Sequence, residues 1–142
     1  MPFYNVLHPQ GSFDQETKQK LAKAVTDMHC EFTGSPPQLV HVIFAPGDHA
    51  DIFSGGQASL MVLIRAFTRA GRPQELKEKM LRALTEIFVS VGNVPLQNLM
   101  VTMIETPATN AMEAGVILPH PGDDAEWHKL NRIVRSAQAV SA

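Results

Sequence analysis

The sequence has a single cysteine, Cys30, among 142 residues. No intrachain disulfide can form, which suits a reducing compartment. Charge is sparse: Asp, Glu, Lys and Arg make up 18% of the chain, and the formal net charge is −2. No basic run stands out, so nucleic acid is not an expected partner. Long hydrophobic runs are missing as well. The best, Leu60 to Ile64, is far too short to span a bilayer. No basic segment leads into an apolar one as in a secretory signal. No membrane partner is expected, and a cytoplasmic location is the default. The histidines stand at 8, 29, 41, 49, 120 and 128, with no H-x-x-x-H or C-x-x-C pairing, so no metal is expected. No glycine-rich segment matches a P-loop or a dinucleotide fingerprint, and no cofactor is expected.

What is present is a core. Hydrophobic residues form 44% of the chain, enough for one globular domain over residues 1–142. The chain says the same thing twice. Phe3 to Leu7 reads as a strand. Ser12-Phe13-Asp14-Gln15 has the form of a capping box, and Leu21, Val25, Met28 and Phe32 recur at helical spacing. Gly34 fits a C-cap, Ser35-Pro36-Pro37 breaks the chain, and Leu39 to Phe44 reads as a strand. This first β-α-β unit covers about 2–45. The second covers about 59–105. Leu60 to Ile64 reads as a central strand buried on both faces, and Pro73 suits the first helical position. Leu76, Met80, Leu84, Ile87, Phe88 and Val91 form an apolar stripe. Gly92 and Pro95 close that helix, and Leu99 to Ile104 is a strand.

Two such units predict an α/β (α+β) fold: a four-stranded sheet with two helices on one face and parallel pairing within each unit. The other face needs a cover, most simply another subunit. Ala45 to Gln57 reads as a loop with a short hairpin. A C-terminal extension over about 106–142 is expected to hold a short helix at Thr109–Ala114. A turn at Leu118 to Gly122 and a polar helix from Asp124 to Ala137 follow, with a frayed end.

Four places could carry chemistry. If Met1 is removed, the chain begins with the secondary amine of Pro2. An N-terminal amine titrates roughly between pH 7 and 8, where general acid–base catalysis works best. A stiff, inert terminus is the plain alternative. Arg69 and Arg72 fall where the second unit's first strand ends and its helix begins. Guanidiniums there, beside free helix N–H groups, would hold a carboxylate. Otherwise they are solvated arginines in a surface turn. His29 sits at the edge of the first helix's apolar face near its C-terminus, where the dipole favours an imidazolium. A partly buried or capping histidine is the alternative. Glu113 is surface decoration unless it has company. Trp127, the sole tryptophan, reads as a packing anchor.

Six further segments join these places. They are Ala24-Val25-Thr26-Asp27-Met28-His29 with Thr33-Gly34, Phe53-Ser54-Gly55-Gly56, and Thr68-Arg69-Ala70-Gly71-Arg72. After them come Glu105-Thr106-Pro107-Ala108 running into Met112-Glu113-Ala114-Gly115, then Leu118-Pro119-His120-Pro121-Gly122, then Glu126-Trp127. In order and spacing they resemble the tautomerase superfamily, and within it the cis-3-chloroacrylic acid dehalogenase group. The likeness runs from Pro2 to about Trp127. It implies the tandem β-α-β fold, a homotrimer, and Pro2 as the catalytic amine. It also implies that Arg69 and Arg72 hold a small carboxylate substrate while His29 and Glu113 position or activate water. One departure stands out. The group's tyrosine in the strand before the Glu-x-Pro segment is Thr102 here, and Tyr4 does not align with it. Loss of one such donor costs a few kcal/mol of transition-state stabilisation, so dehalogenation is expected to be weak or absent. The implied activity is tautomerisation or hydration of small unsaturated or enol acids. A non-catalytic trimeric binding protein on the same fold is the competing reading. A ferredoxin-like small-molecule sensor, needing neither Pro2 nor Glu113, is the third.

Overall fold

A computed structural model describes residues 1–130. The first unit is strand β1 (Phe3–Pro9), helix α1 (Gln15–Thr33) and strand β2 (His41–Gly47). A hairpin of β3 (Phe53–Ser54) and β4 (Gln57–Ala58) follows, as expected of that loop. The second unit is β5 (Val62–Arg69), α2 (Gln74–Ser90) and β6 (Leu99–Thr106). Beyond it come β7 (Met112–Glu113), β8 (Val116–Ile117) and α3 (Asp124–Leu130).

The sheet runs β2-β1-β5-β6. β1 pairs with β2 in parallel, β5 with β6 in parallel, and the two units join through an antiparallel β1–β5 pair. Both helices lie on one face. There Tyr4, Val6, Ile64 and Ala66 meet Leu21, Val25, Met80, Leu84 and Phe88, all buried. Burial of each large side chain contributes about 1.5–3 kcal/mol.

The elements match their sequence signals apart from small shifts at element ends, as where β2 begins at His41 after a 3₁₀ turn at Pro37–Leu39, and three larger differences. First, α1 is capped by Asp14, whose Oδ1 accepts from the Thr17 N–H at 2.7 Å. Ser12 instead donates to the Pro9 carbonyl at 2.6 Å. Asp and Ser rank equally as N-caps, and the helix start at Gln15 selects the nearer one. At the other end Gly34 adopts φ 72° and donates to Cys30, a left-handed cap that glycine accepts without strain. Second, β5 begins at Val62 and alternates along its length, whereas Leu60 is 57% exposed. Val62, Ile64, Ala66 and Thr68 face the helices; Leu63, Arg65 and Phe67 face the other way. That second face carries a stacked Phe3–Phe67 pair with Ile43 49% and Met100 54% exposed. Burial on both faces is therefore not a property of the single chain. Third, the expected helix at Thr109–Ala114 is one 3₁₀ turn, Ala108–Asn110, followed by the β7–β8 hairpin. Ala114 and Gly115 both have positive φ, 51° and 81°, as a two-residue hairpin turn demands. The expected helix from Asp124 is present to Leu130, and its continuation to Ala137 lies outside the described residues.

α2 begins at Gln74 with Pro73 one residue outside it. Past its end the chain folds back tightly at Gly92. A cavity of about 320 Å³ opens beside this turn, lined in part by Pro9, Ser12, Phe13, Leu60 and Asn98. A Cβ on Gly92 would lie 2.7 Å from the Phe88 carbonyl oxygen and 3.3 Å from the Phe13 ring. Gly92→Ala is therefore expected to cost about 1–3 kcal/mol, read as a lower urea midpoint at unchanged m-value.

Candidate active site

The strand registers decide what meets at the N-terminus. Phe3 stands opposite His41 on β2 and opposite Phe67 on β5, and Arg69 stands opposite Thr106 on β6. The starts of β1 and β2 and the ends of β5 and β6 thus share one end of the sheet. Pro2, buried, enters β1 there, and its carbonyl accepts from the His41 N–H at 3.1 Å.

Glu113 belongs to β7, and the hairpin delivers it to the chain terminus. The Met1 ammonium donates to Glu113 Oε2. Glu113 Oε1 lies 2.8 Å from His41 Nε2. The Met1 side chain packs against a cluster of Leu39, Ala108, Leu118 and Trp127. Burial lowers the amine below its ordinary value of 8.0, Glu113 pulls it back up, and Arg69 adds to the lowering. Burial is the largest of these effects, so the amine here loses its proton more readily than a free terminus.

Pro2 and Tyr4 are two apart on a strand and so share a face. Tyr4 points into the helix layer, where its hydroxyl meets His29 Nδ1 at 2.7 Å, and both side chains are 0% exposed. Burial pushes the Tyr4 phenol well above its usual range. Burial also pulls His29 down to about 3, helped by Arg72, the N-terminal amine and Arg69. The imidazole is therefore neutral at physiological pH. Desolvation plus three cationic groups outweighs the helix dipole, which would have favoured the imidazolium. His29 Nε2 is buried without a partner among the described residues.

The two arginines do different jobs. Arg69, 6% exposed, donates from Nη1 to the Pro119 carbonyl at 2.7 Å and to Asp124 Oδ1 at 2.8 Å. It thereby clamps the C-terminal segment to the end of β5. Its Nε is buried and has no partner among the described residues. Arg72 donates to the Arg69 carbonyl at 3.3 Å and has no carboxylate partner among the described residues. Burial and then Arg69 lower it from the usual arginine range. Thr102 stands opposite Arg65 on the sheet's second face, two strands from β1. It is not brought to Tyr4 and His29 within the chain.

The N-terminus, Glu113, His29, Arg69 and Arg72 thus converge at one sheet end. Two groups there escaped the sequence reading, Tyr4 and His41. Both had a signal: Tyr4 in the period-two alternation from Pro2, His41 in the matched starts of β1 and β2.

Residues 1–132 match a family described as "Putative oxalocrotonate tautomerase enzyme". The chain belongs to this tautomerase family. Among solved structures, N1, a member of the cis-3-chloroacrylic acid dehalogenase family, superposes with a TM-score of 0.89 at 29% identity, over 99% of both chains. Native Ps01740 gives 0.77 at 32% identity, over 78% of this chain and 99% of that one. The R7 fused 4-OT, solved as an asymmetric trimer, gives 0.74 at 27% identity, over 81% of this chain and 94% of that one. No curated protein matches the chain in a sequence comparison. No helix among the described residues is long and apolar enough to cross a membrane.

The buried neutral imidazole makes stability depend on pH. Native His29 binds no proton until about pH 3, whereas the unfolded side chain takes one near 6.5. Between these values the unfolded state binds more protons. The contribution is therefore complete above about 6.5 and is lost as pH falls toward 3. The loss is on the order of a few kcal/mol. His29→Gln is expected to flatten this acid limb in denaturant melts taken between pH 4 and 7.

Proposed function

We propose that the chain is a cofactor-free tautomerase or hydratase acting on small unsaturated or enol carboxylic acids, with Pro2, freed by loss of Met1, as its catalytic amine. The observation that carries this reading is the convergence of the N-terminal amine, Glu113 and the unanswered guanidinium of Arg72. Arg72, aided by the free N–H of Arg69, takes the substrate carboxylate. That anchoring sets the reacting carbons beside the amine.

Two modes follow from one geometry. As a tautomerase, neutral Pro2 removes a proton from one atom of an enol or keto acid and returns it to another. As a hydratase, Glu113 and His29 position a water that attacks carbon 3 of the unsaturated acid. Charge flows into the carboxylate beside the arginines, and protonated Pro2 delivers its proton to carbon 2. The water proton passes to Glu113. Thr102 supplies no phenol, so halide release is weak or absent. Three copies are expected to assemble through the second sheet face, where Ile43, Met100 and the Phe3–Phe67 stack are only partly covered. A trimeric relative supports this arrangement. The competing reading, a non-catalytic trimeric binding protein, would keep the assembly and lose the turnover.

Proton NMR of acetylenic, haloacrylic and enol-pyruvate acids tests the reading, with intact mass confirming Met1 removal. Pro2→Ala is expected to lower kcat/KM by about 10²–10⁴, the usual worth of a positioned acid–base group. Arg72→Ala is expected to lower it by about 10²–10³. Unchanged turnover in both variants would overturn the mechanism. The modes also differ in pH dependence, since one needs the neutral amine and the other the charged one. Tautomerisation should rise, and hydration fall, with pH through one shared titration of the Pro2 amine.

A further inference from the structure

The Met1 side chain is only 13% exposed. It fills the space between the clamped C-terminal segment and the sheet end, leaving a hollow of only about 10 Å³. The walls are of two kinds. Leu39, Ala108 and Leu118 are buried carbon. Arg69 and Trp127, 6% and 5% exposed, each keep a buried N–H, Nε and Nε1, with no acceptor among the described residues. A buried donor without an acceptor costs about 1–3 kcal/mol, so such a wall is suited to an occupant that brings oxygen. Asp124, the only carboxylate among the described residues that line this hollow, already pairs with Arg69 Nη1.

We propose that the space Met1 fills is a second half of the acid-binding site, taking the tail of a monocarboxylate. The ligand is an amphipathic anion, its one carboxylate shared between Arg72 and the Arg69 and Trp127 N–H groups and its uncharged hydrocarbon tail lying on Leu39, Ala108 and Leu118. The tail has about the reach of a methionine side chain. A second carboxylate on that tail is disfavoured, because it would be buried against carbon without a counter-charge. This inference rests on Met1 removal, as the proposed activity does, but it concerns binding and needs no turnover.

Trp127 is the only tryptophan in the chain, so its fluorescence reports this wall alone. The Met1-free chain, checked by intact mass, is titrated with straight-chain saturated acids from acetate to octanoate. Kd is expected to fall about fourfold per added methylene, then to stop falling once the tail exceeds methionine's reach. The chain that retains Met1 should give no Trp127 response to hexanoate. Leu118→Phe, which shortens the apolar wall, should move the optimum to a shorter acid. Affinity independent of length, or equal hexanoate binding with Met1 in place, would overturn the subsite. The outcomes separate cleanly from the catalytic reading. Length-dependent binding without turnover leaves the subsite standing and removes the enzyme. Turnover with no length preference in binding does the reverse.

Discussion

The antiparallel register between β1 and β5 is the constraint on which the candidate site depends. Pairing Phe3 with Phe67 sets the chain's first residues beside the end of β5, where Arg69 and Arg72 begin the turn into α2. The parallel pairing of β1 with β2 then adds His41. A slip of one residue would turn Tyr4 out of the helix layer and carry Pro2 to the opposite face. The alternation of buried and half-buried residues along both central strands is what forbids that slip.

Burial governs the electrostatics at this end of the sheet. An amine, an imidazole, a phenol and a guanidinium are all moved toward their neutral forms, with burial as the leading cause in each. Against that trend stand two anchored charge pairs, Glu113 with the chain terminus and Asp124 with Arg69. Both acids come from the C-terminal extension. The extension therefore does more than cover the sheet end: it supplies the countercharge that lets cations sit there at all. Arg69 spends its Nη1 donors on holding this segment, whereas Arg72 has no carboxylate partner among the described residues.

The β-α-β repeat, the cap at Gly34, the short hairpin near Phe53 and the helix face of the core were all legible in the sequence, because periodicity and glycine placement are local signals. The N-cap was misplaced because Ser12 and Asp14 compete on equal terms and only the helix start decides between them. The segment around Glu113 departs from its sequence signal for a related reason. Ala-Met-Glu-Ala favours a helix intrinsically, and the left-handed pair at Ala114-Gly115 overrides that preference only once the hairpin packs. His29 was located correctly on its helix, but its protonation was not readable there. The charges that help to hold it neutral lie at the chain's N-terminus, at the end of β5 and in the turn after it, remote in sequence. Tyr4 and His41 became visible only through strand register.

The cavity at the opposite end of the sheet, beside Gly92, has a further meaning. In the pseudo-twofold arrangement of the two units it occupies the counterpart of the candidate site, between the end of β1, the start of β5 and the end of α2. The described residues that line it carry no charged side chain. Nor can it ever hold a terminal amine, because the start of β5 is an internal peptide. A chain has one beginning however many times its fold is repeated. The repeat thus carries a hollow at both ends of the sheet but a chain terminus at only one of them.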